Sequence, residues 1–219
     1  MKVKKKERVN TRGFTMVELL VGMAVSLLAI GAIYSTFLNQ HKSYLIQEEF
    51  AAMQQNIRNA MFHLQREIRM AGCDPTGNAG AGITSAGASS ISFTEDVRGD
   101  SAGSDPDGAL DDANENITYS LSGNNLVRNT GGGNQTISEN IDALNFVYLD
   151  ADGNTTATLS EIRSVEITIV ARTSRDLSAS KNNVIYYNQR GTQILGAQND
   201  NFNRKRLTVL INCRNLGLN

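Results

Sequence analysis

The sequence predicts an α+β chain in which one long N-terminal helix precedes a domain of antiparallel β-sheet. Apolar residues recur at helical spacing through the first third of the chain, and short strand-like runs separated by turn residues follow. The chain has 219 residues, is 40% hydrophobic and contains only 2 prolines. It is therefore long enough for one folded domain plus an extension.

The first part of the predicted helix is an apolar run, residues 14–38, whose only ionisable side chains are Glu18 and Tyr34. A helix of this length spans a bilayer core of about 30 Å. A secretory signal would have a shorter apolar region, roughly 7–15 residues, followed by a cleavage site of small residues. The run therefore predicts a transmembrane segment, although a carboxylate at mid-bilayer costs roughly 2.5–3.5 kcal/mol and usually marks function.

The second part of the helix, residues 39–72, is predicted to be amphipathic. Gly72 and Pro75 are typical of a helix end, so the whole helix is expected to reach about Ala71, on the order of 85 Å from its start. Its apolar face must pack on the C-terminal domain or on a neighbouring helix. The residues of this face are Ile46, Phe50, Met53, Ile57, Ala60, Leu64 and Ile68.

The remainder, residues 73–219, is predicted to be a β-rich globular domain with long loops. Residues 76–90 are rich in Gly, Ala and Ser, and residues 95–116 carry eight acidic residues against one arginine, so both segments are expected to be loops. The sequence "SGNN" is a candidate hairpin turn between the first two strands. The strand-like runs are 117–121, 125–128, 144–149, 164–171, 184–187 and 207–211.

Charge is distributed unevenly along the chain. The first 13 residues carry six basic side chains and one acidic one, whereas residues 14–219 have a net charge of −6. The positive-inside rule predicts a cytoplasmic N-terminus and an exported C-terminal domain. An acidic body argues against nucleic acid as a partner. The catalytic motifs H-E-x-x-H and Walker A are absent from the sequence, and no enzymatic activity is expected.

The stretch "RGFTMVELLVGMAVSLL" resembles the class III signal sequence of type IV pilins and type II secretion pseudopilins. The shared features are a short basic leader, Gly13, Phe14, Glu18 and a long apolar helix. The resemblance implies a lollipop-shaped pilin-like fold. It also implies that a prepilin peptidase removes the leader, residues 1–13, by cutting between Gly13 and Phe14, and methylates the new amine of Phe14. The helix then enters a filament, where Glu18 can meet the Phe14 amine of the next subunit.

Three alternatives for the function remain open. Three segments resemble PilW-type minor pilins, which favours a minor subunit that primes or joins a type IV pilus: "HLQREIRMAGCDP", "RKRLTVLINCRNLG" and "ALNFVYLDADGN…LSEIRSVEITIVAR". A minor pseudopilin of the J type, from a type II secretion system, is the second alternative. A signal-anchored periplasmic binding domain is the third. The expected partners are the peptidase, other major and minor pilins, the inner membrane and its assembly platform, in a fibre for adhesion or motility.

The expected location is first a single pass of the inner membrane, with the C-terminal domain in the periplasm, and then a periplasmic or extracellular fibre. An oxidising periplasm permits one disulfide between Cys73 and Cys213, the only cysteines, and two buried thiols are the alternative.

No cofactor is expected, apart from calcium at one acidic segment. "DADGNTTATLSE", residues 150–161, has oxygen-bearing side chains at positions 1, 3, 5, 7 and 12 of an EF-hand-like loop, but lacks the glycine expected at position 6. A β-hairpin with an acidic turn is the alternative. The candidate calcium ligands are Asp150, Asp152, Asn154, Thr156 and Glu161.

Overall fold

The structure is a computed structural model that describes residues 13–101, 104–176, 178 and 180–217. The predicted basic leader therefore lies outside the described residues, except for Gly13. The chain divides into two compact units, residues 1–45 and 46–219, which are described separately. Helix α1, Met16–Ile68, contributes its first 30 residues to the first unit and the rest to the second.

The described part of the first unit consists of a short N-terminal segment and the apolar part of α1. Every side chain from Gly13 to Tyr44 is exposed, although most of the residues as far as Leu38 are apolar. The helix is long and apolar enough to cross a membrane, judged by length and composition. Because nothing in this unit buries these side chains, their apolar surface is available to lipid or to other helices.

The second unit contains a five-stranded and a three-stranded antiparallel sheet, plus a two-stranded ribbon. The strand orders are β1-β2-β3-β4-β5, β10-β7-β6 and β8-β9. The first sheet is a meander, in which each strand pairs with the next along the chain. The strands are β1 Ile83–Ala86, β2 Ile91–Thr94, β3 Asn116–Ser122, β4 Asn125–Asn129, β5 Asn134–Ser138, β6 Ile141–Leu149, β7 Ser164–Arg172, β8 Tyr186–Tyr187, β9 Gln193–Leu195 and β10 Arg204–Asn212.

One hydrophobic core joins the amphipathic part of α1 to both larger sheets. The predicted apolar stripe is confirmed, with Ile46 and Phe50 half-buried and the residues from Met53 onward buried. Met61, outside the predicted stripe, is buried beside them. Strand β7 is central in its sheet, so its polar residues Glu166 and Thr168 are buried as well as its apolar ones.

The helix ends three residues earlier than expected, at Ile68, and a turn leads to Gly72. Gly72 has φ +77°, and a Cβ there would lie 2.5 Å from the Leu216 side chain. The positive φ favours glycine at this position, and a larger residue would also displace the Leu216 side chain. The Asn215 side chain donates to the carbonyl oxygens of Arg69 and Met70, at 3.4 and 3.2 Å, so the C-terminal segment covers the end of the helix.

The predicted "SGNN" hairpin is confirmed, because β3 and β4 pair up to Ser122 and Asn125. The expectation of loop throughout residues 76–90 is wrong, since β1 lies within that segment. Strand β1 is only 4 residues long, and Ile83 is its one buried residue. It therefore has too little apolar pattern to be told from a loop by sequence. Residues 95–115 contain no strand or helix within their described part, as expected.

Candidate processing and assembly segment

The segment predicted for processing leads into helix α1, and the N-terminus of that helix is capped. Thr15 accepts the first helical hydrogen bond, from the Leu19 amide at 3.1 Å, and is therefore the N-cap. The Glu18 amide donates to the Thr15 hydroxyl oxygen at 3.2 Å. In return, the Thr15 amide and hydroxyl donate to Glu18 Oε2, at 2.9 and 2.8 Å. This reciprocal pair is a capping box.

The capping box gives Glu18 a structural role that the charge alone did not reveal. Its carboxylate satisfies a backbone amide at the start of the helix, where the helix macrodipole also favours a negative charge. The two carboxylate oxygens of Glu18 differ. Oε2 accepts both hydrogen bonds from Thr15, whereas Oε1 accepts none from any described residue and is available to another donor. The sequence signal for this cap was the threonine three residues before the glutamate.

Gly13 and Phe14 precede the helix in non-helical, exposed backbone. The Phe14 side chain is 91% exposed. A peptide bond cut by a protease must be accessible and outside regular secondary structure, and the Gly13–Phe14 bond meets both conditions. Glu18 lies one helical turn along from Phe14, on the same exposed unit.

The EF-hand-like segment 150–161 forms a turn that uses its own oxygen atoms. Asp150 Oδ1 accepts from the Asp152 and Asn154 amides, both at 2.9 Å. The Thr156 hydroxyl donates to Glu161 Oε2 at 2.8 Å. Leu149 and Thr155 form an antiparallel bridge, so the segment continues from β6 as a hairpin-like turn rather than joining two helices. Calcium binding at this loop stays a prediction.

A different acidic segment brings three carboxylates together. One oxygen each from Asp100, Asp107 and Asp112 lies within 4.8 Å of the others, in the segment predicted as a solvated loop. Two fully buried acids organise the backbone around them. Glu115 Oε1 accepts from two amides, at residues 97 and 98, while Asp96 Oδ2 accepts from the Gly108 amide at 3.1 Å.

Cys73 and Cys213 are free thiols in the structure, Cys73 half-buried and Cys213 buried. Burial, joined by the nearby carboxylates of Glu95, Asp96 and Asp74, raises the pKa of the Cys73 thiol. Burial alone raises the pKa of Cys213 to about 12. Both thiols are therefore weak nucleophiles in this state, and the predicted disulfide is absent from the structure and stays a prediction.

Comparisons with known proteins agree with the N-terminal segment and with the fold. Residues 8–34 match the prokaryotic N-terminal methylation motif. No curated protein matches the chain. A solved structure of a type IV-like pilin from Thermus thermophilus is similar with a TM-score of 0.52 and 13% identity, over 74% of this chain and 97% of that one. The chain thus combines the methylation motif of prokaryotic prepilins with a type IV pilin-like fold.

Proposed function

We propose that the chain is a minor pilin, cut by a prepilin peptidase between Gly13 and Phe14, methylated at Phe14 and assembled into a type IV pilus. The observation that carries the proposal is the capped start of α1, whose first, apolar part is exposed, within residues that match the methylation motif. A structural subunit that packs through this helix needs no catalytic site, which agrees with the sequence expectation of no enzyme.

The geometry supports a role for Glu18 between subunits. Cleavage creates a positively charged amine at Phe14, and methylation leaves it basic. One oxygen of Glu18 holds the cap of its own helix, and the other is available to an amine from a neighbouring helix. Such an ion pair in an apolar bundle fixes the register of the helices even where it adds little net stability.

The choice of a pilus over a secretion system rests on the resemblance of three segments to PilW-type pilins. The J-type pseudopilin of a type II secretion system is the second candidate, because the methylation motif and the fold suit it equally. The partners distinguish the two. Cross-linking through the N-terminal helix should recover pilins in the first case and pseudopilins in the second.

The first experiment measures processing. Mass spectrometry of the N-terminus should find a mature chain that begins at methylated Phe14. Gly13→Val should leave the precursor uncut, whereas Gly22→Ala, at a helical glycine with open space around it, should be processed normally. A mature chain that keeps its first 13 residues would return the protein to the class of signal-anchored periplasmic domains.

The second experiment separates the charge of Glu18 from its cap. Glu18→Gln keeps the capping box, since glutamine serves at that position, but removes the charge. It should be processed normally and be depleted from sheared fibres. Glu48→Gln, at an exposed glutamate later in the same helix, is the control and should assemble normally. Wild-type amounts of Glu18→Gln in fibres would refute the register role.

A further inference from the structure

A concave site of about 780 Å³ lies at the end of α1 in the second unit. A cavity of this size holds a small molecule or a few residues of a peptide. Five of the 12 arginines that follow Gly13 line it. The five are Arg66, Arg69, Arg98, Arg128 and Arg214.

One of these arginines is engaged in an ion pair, and four are unpaired within the described part of the chain. Arg128 is engaged, because its Nε donates to Glu67 Oε2 at 2.8 Å. The Tyr119 hydroxyl donates to the same oxygen at 2.7 Å. The other four are exposed and form no ion pair with any described residue. Five arginines against Glu67 and Glu95 give this cavity a positive balance within a unit that is acidic overall, and that balance favours an anionic ligand.

The floor of the cavity has different chemistry from its rim. Glu95 lines it, and its Oε2 is buried and has no hydrogen-bond partner among the described residues. An unsatisfied buried oxygen is costly, and a ligand with a donor group would satisfy it. Phe62 and Met70, 62% and 41% exposed, add apolar surface to the same cavity.

We propose that this cavity binds an acidic peptide segment of another protein chain. Aspartate or glutamate side chains of the segment pair with the rim arginines, which offer paired N–H donors matched to a carboxylate. A backbone amide of the segment donates to Glu95 Oε2, and its apolar atoms lie against Phe62 and Met70.

The cavity floor favours a peptide over a nucleic acid. A sugar-phosphate backbone brings many negative charges and no N–H donor, and would place them near the carboxylates of Glu95 and Glu67. The net charge of −6 over residues 14–219 also repels a long polyanion. A short acidic segment enters the arginine rim without bringing further charge to the rest of the surface.

Residues 104–113, SDPDGALDDA, provide a defined probe with four acidic side chains. Binding of this peptide, labelled with a fluorophore, would be measured by anisotropy on the full-length chain purified in detergent. An analogue with asparagine at all four aspartate positions is the control peptide. Inorganic phosphate and a short DNA duplex are offered as competing anions.

We expect the acidic peptide to bind and the asparagine analogue to bind at least tenfold more weakly. Arg66→Gln and Arg98→Gln should each lower the affinity roughly tenfold, as expected for loss of a charged hydrogen bond. Arg58→Gln, at an exposed arginine of the same helix outside the cavity, should leave the affinity unchanged. Because all three arginines are exposed, unchanged melting temperatures show that the variants are folded.

Three results would overturn the proposal. Equal binding of both peptides would show that the carboxylates are not recognised, and an equal effect of Arg58→Gln would show that the arginine cavity is not the site. Tighter binding of the DNA duplex than of the peptide, lost in Arg66→Gln and Arg98→Gln, would assign the cavity to nucleic acid instead. None of these results depends on processing at Gly13, so the proposal is tested independently of the function.

Discussion

The two parts of helix α1 differ in how their apolar side chains are covered. From Phe14 to Tyr44 every side chain is exposed, whereas from Met53 to Ile68 six residues are buried in the core of the second unit. Polar contacts follow the same division. The capping box at Thr15 and Glu18 is local, while Glu67 bonds residues 52 and 61 positions away.

The two parts of α1 therefore obtain their stability from different surroundings. The later part is held by the chain's own sheets, so changes in the second unit should act on folding. The earlier part has only local hydrogen bonds, so its stable surroundings come from lipid or from other chains. The predictions below change the second unit alone, and each is measured on a fragment of residues 46–219, which contains every buried side chain of the described residues. Each is expected to leave processing at Gly13 unaltered.

The largest effect is expected from the predicted disulfide. Gly72 lies against Leu216, so the segments that carry Cys73 and Cys213 are neighbours. A disulfide between them closes a loop of about 140 residues and should stabilise the fragment by about 4–5 kcal/mol. Oxidation followed by thermal melting with and without reductant measures it, and the reductant should have no effect on Cys73→Ser. Full alkylation of both thiols after oxidation would show that the bond does not form.

The next largest effect is expected from Arg204, whose side chain is 1% exposed. It donates to Asp142 at 2.6 Å and to both carboxylate oxygens of Asp200, each at 2.6 Å. Arg204→Met leaves the buried Asp142 side chain without its closest cation, and only Oδ1 keeps partners, Asn124 Nδ2 at 2.8 Å and Arg172 at 3.3 Å. The free energy of unfolding should fall by about 3–5 kcal/mol.

Urea unfolding of the fragment measures the effect of Arg204→Met. Lys205→Met, at the exposed neighbouring position of the same strand, is the matched control and should change stability by less than about 0.5 kcal/mol. Equal losses of unfolding free energy in the two variants would mean that the ion pairs of Arg204 contribute no more than any side chain of this strand.

The difference between the two parts of α1 also explains what could be predicted from sequence. The helix and its buried stripe follow from periodicity, and the N-terminal motif is local, so both were accessible. Strands β1, β2, β5 and β9 were not predicted, because segments of three to five residues carry little pattern. The contacts of Glu67 and the arginine cavity were inaccessible, since residues far apart in sequence form them. The Thr15 cap was accessible from the sequence, because the threonine stands three residues before Glu18.

A smaller effect concerns the carboxyl group of Glu95 in the cavity floor. Burial, followed by the negative charge of Glu67, raises its pKa from 4.5 to about 7, with Glu115 adding to the rise and Arg128 and Arg66 opposing it. At a pH between these two pKa values, the Glu95 carboxyl group is protonated in the folded state and ionised in the unfolded state. The stability contributed by this group is therefore present below about pH 4.5 and is lost as the pH rises through 7.

Glu95→Gln should remove this pH dependence and raise the stability of the fragment at pH 8 by about 1–3 kcal/mol. Urea unfolding at pH 5 and pH 8 measures both effects. Glu139→Gln, at an exposed glutamate, should retain the wild-type pH dependence. If the stability of Glu95→Gln changed between pH 5 and pH 8 as much as that of the wild type, the group responsible would not be Glu95.

The smallest effect is expected from calcium. Weak extracellular calcium sites have dissociation constants of roughly 0.1–1 mM, so 5 mM Ca²⁺ would stabilise the folded state by about 1–2 kcal/mol and raise Tm by a few degrees. The prediction for the 150–161 loop is that Asp150→Ala abolishes the rise. Asp112→Asn, in the other acidic segment, is the comparison variant and should keep it. A rise lost only in Asp112→Asn would move the site to the three clustered aspartates, and no rise in the wild-type fragment would exclude both loops.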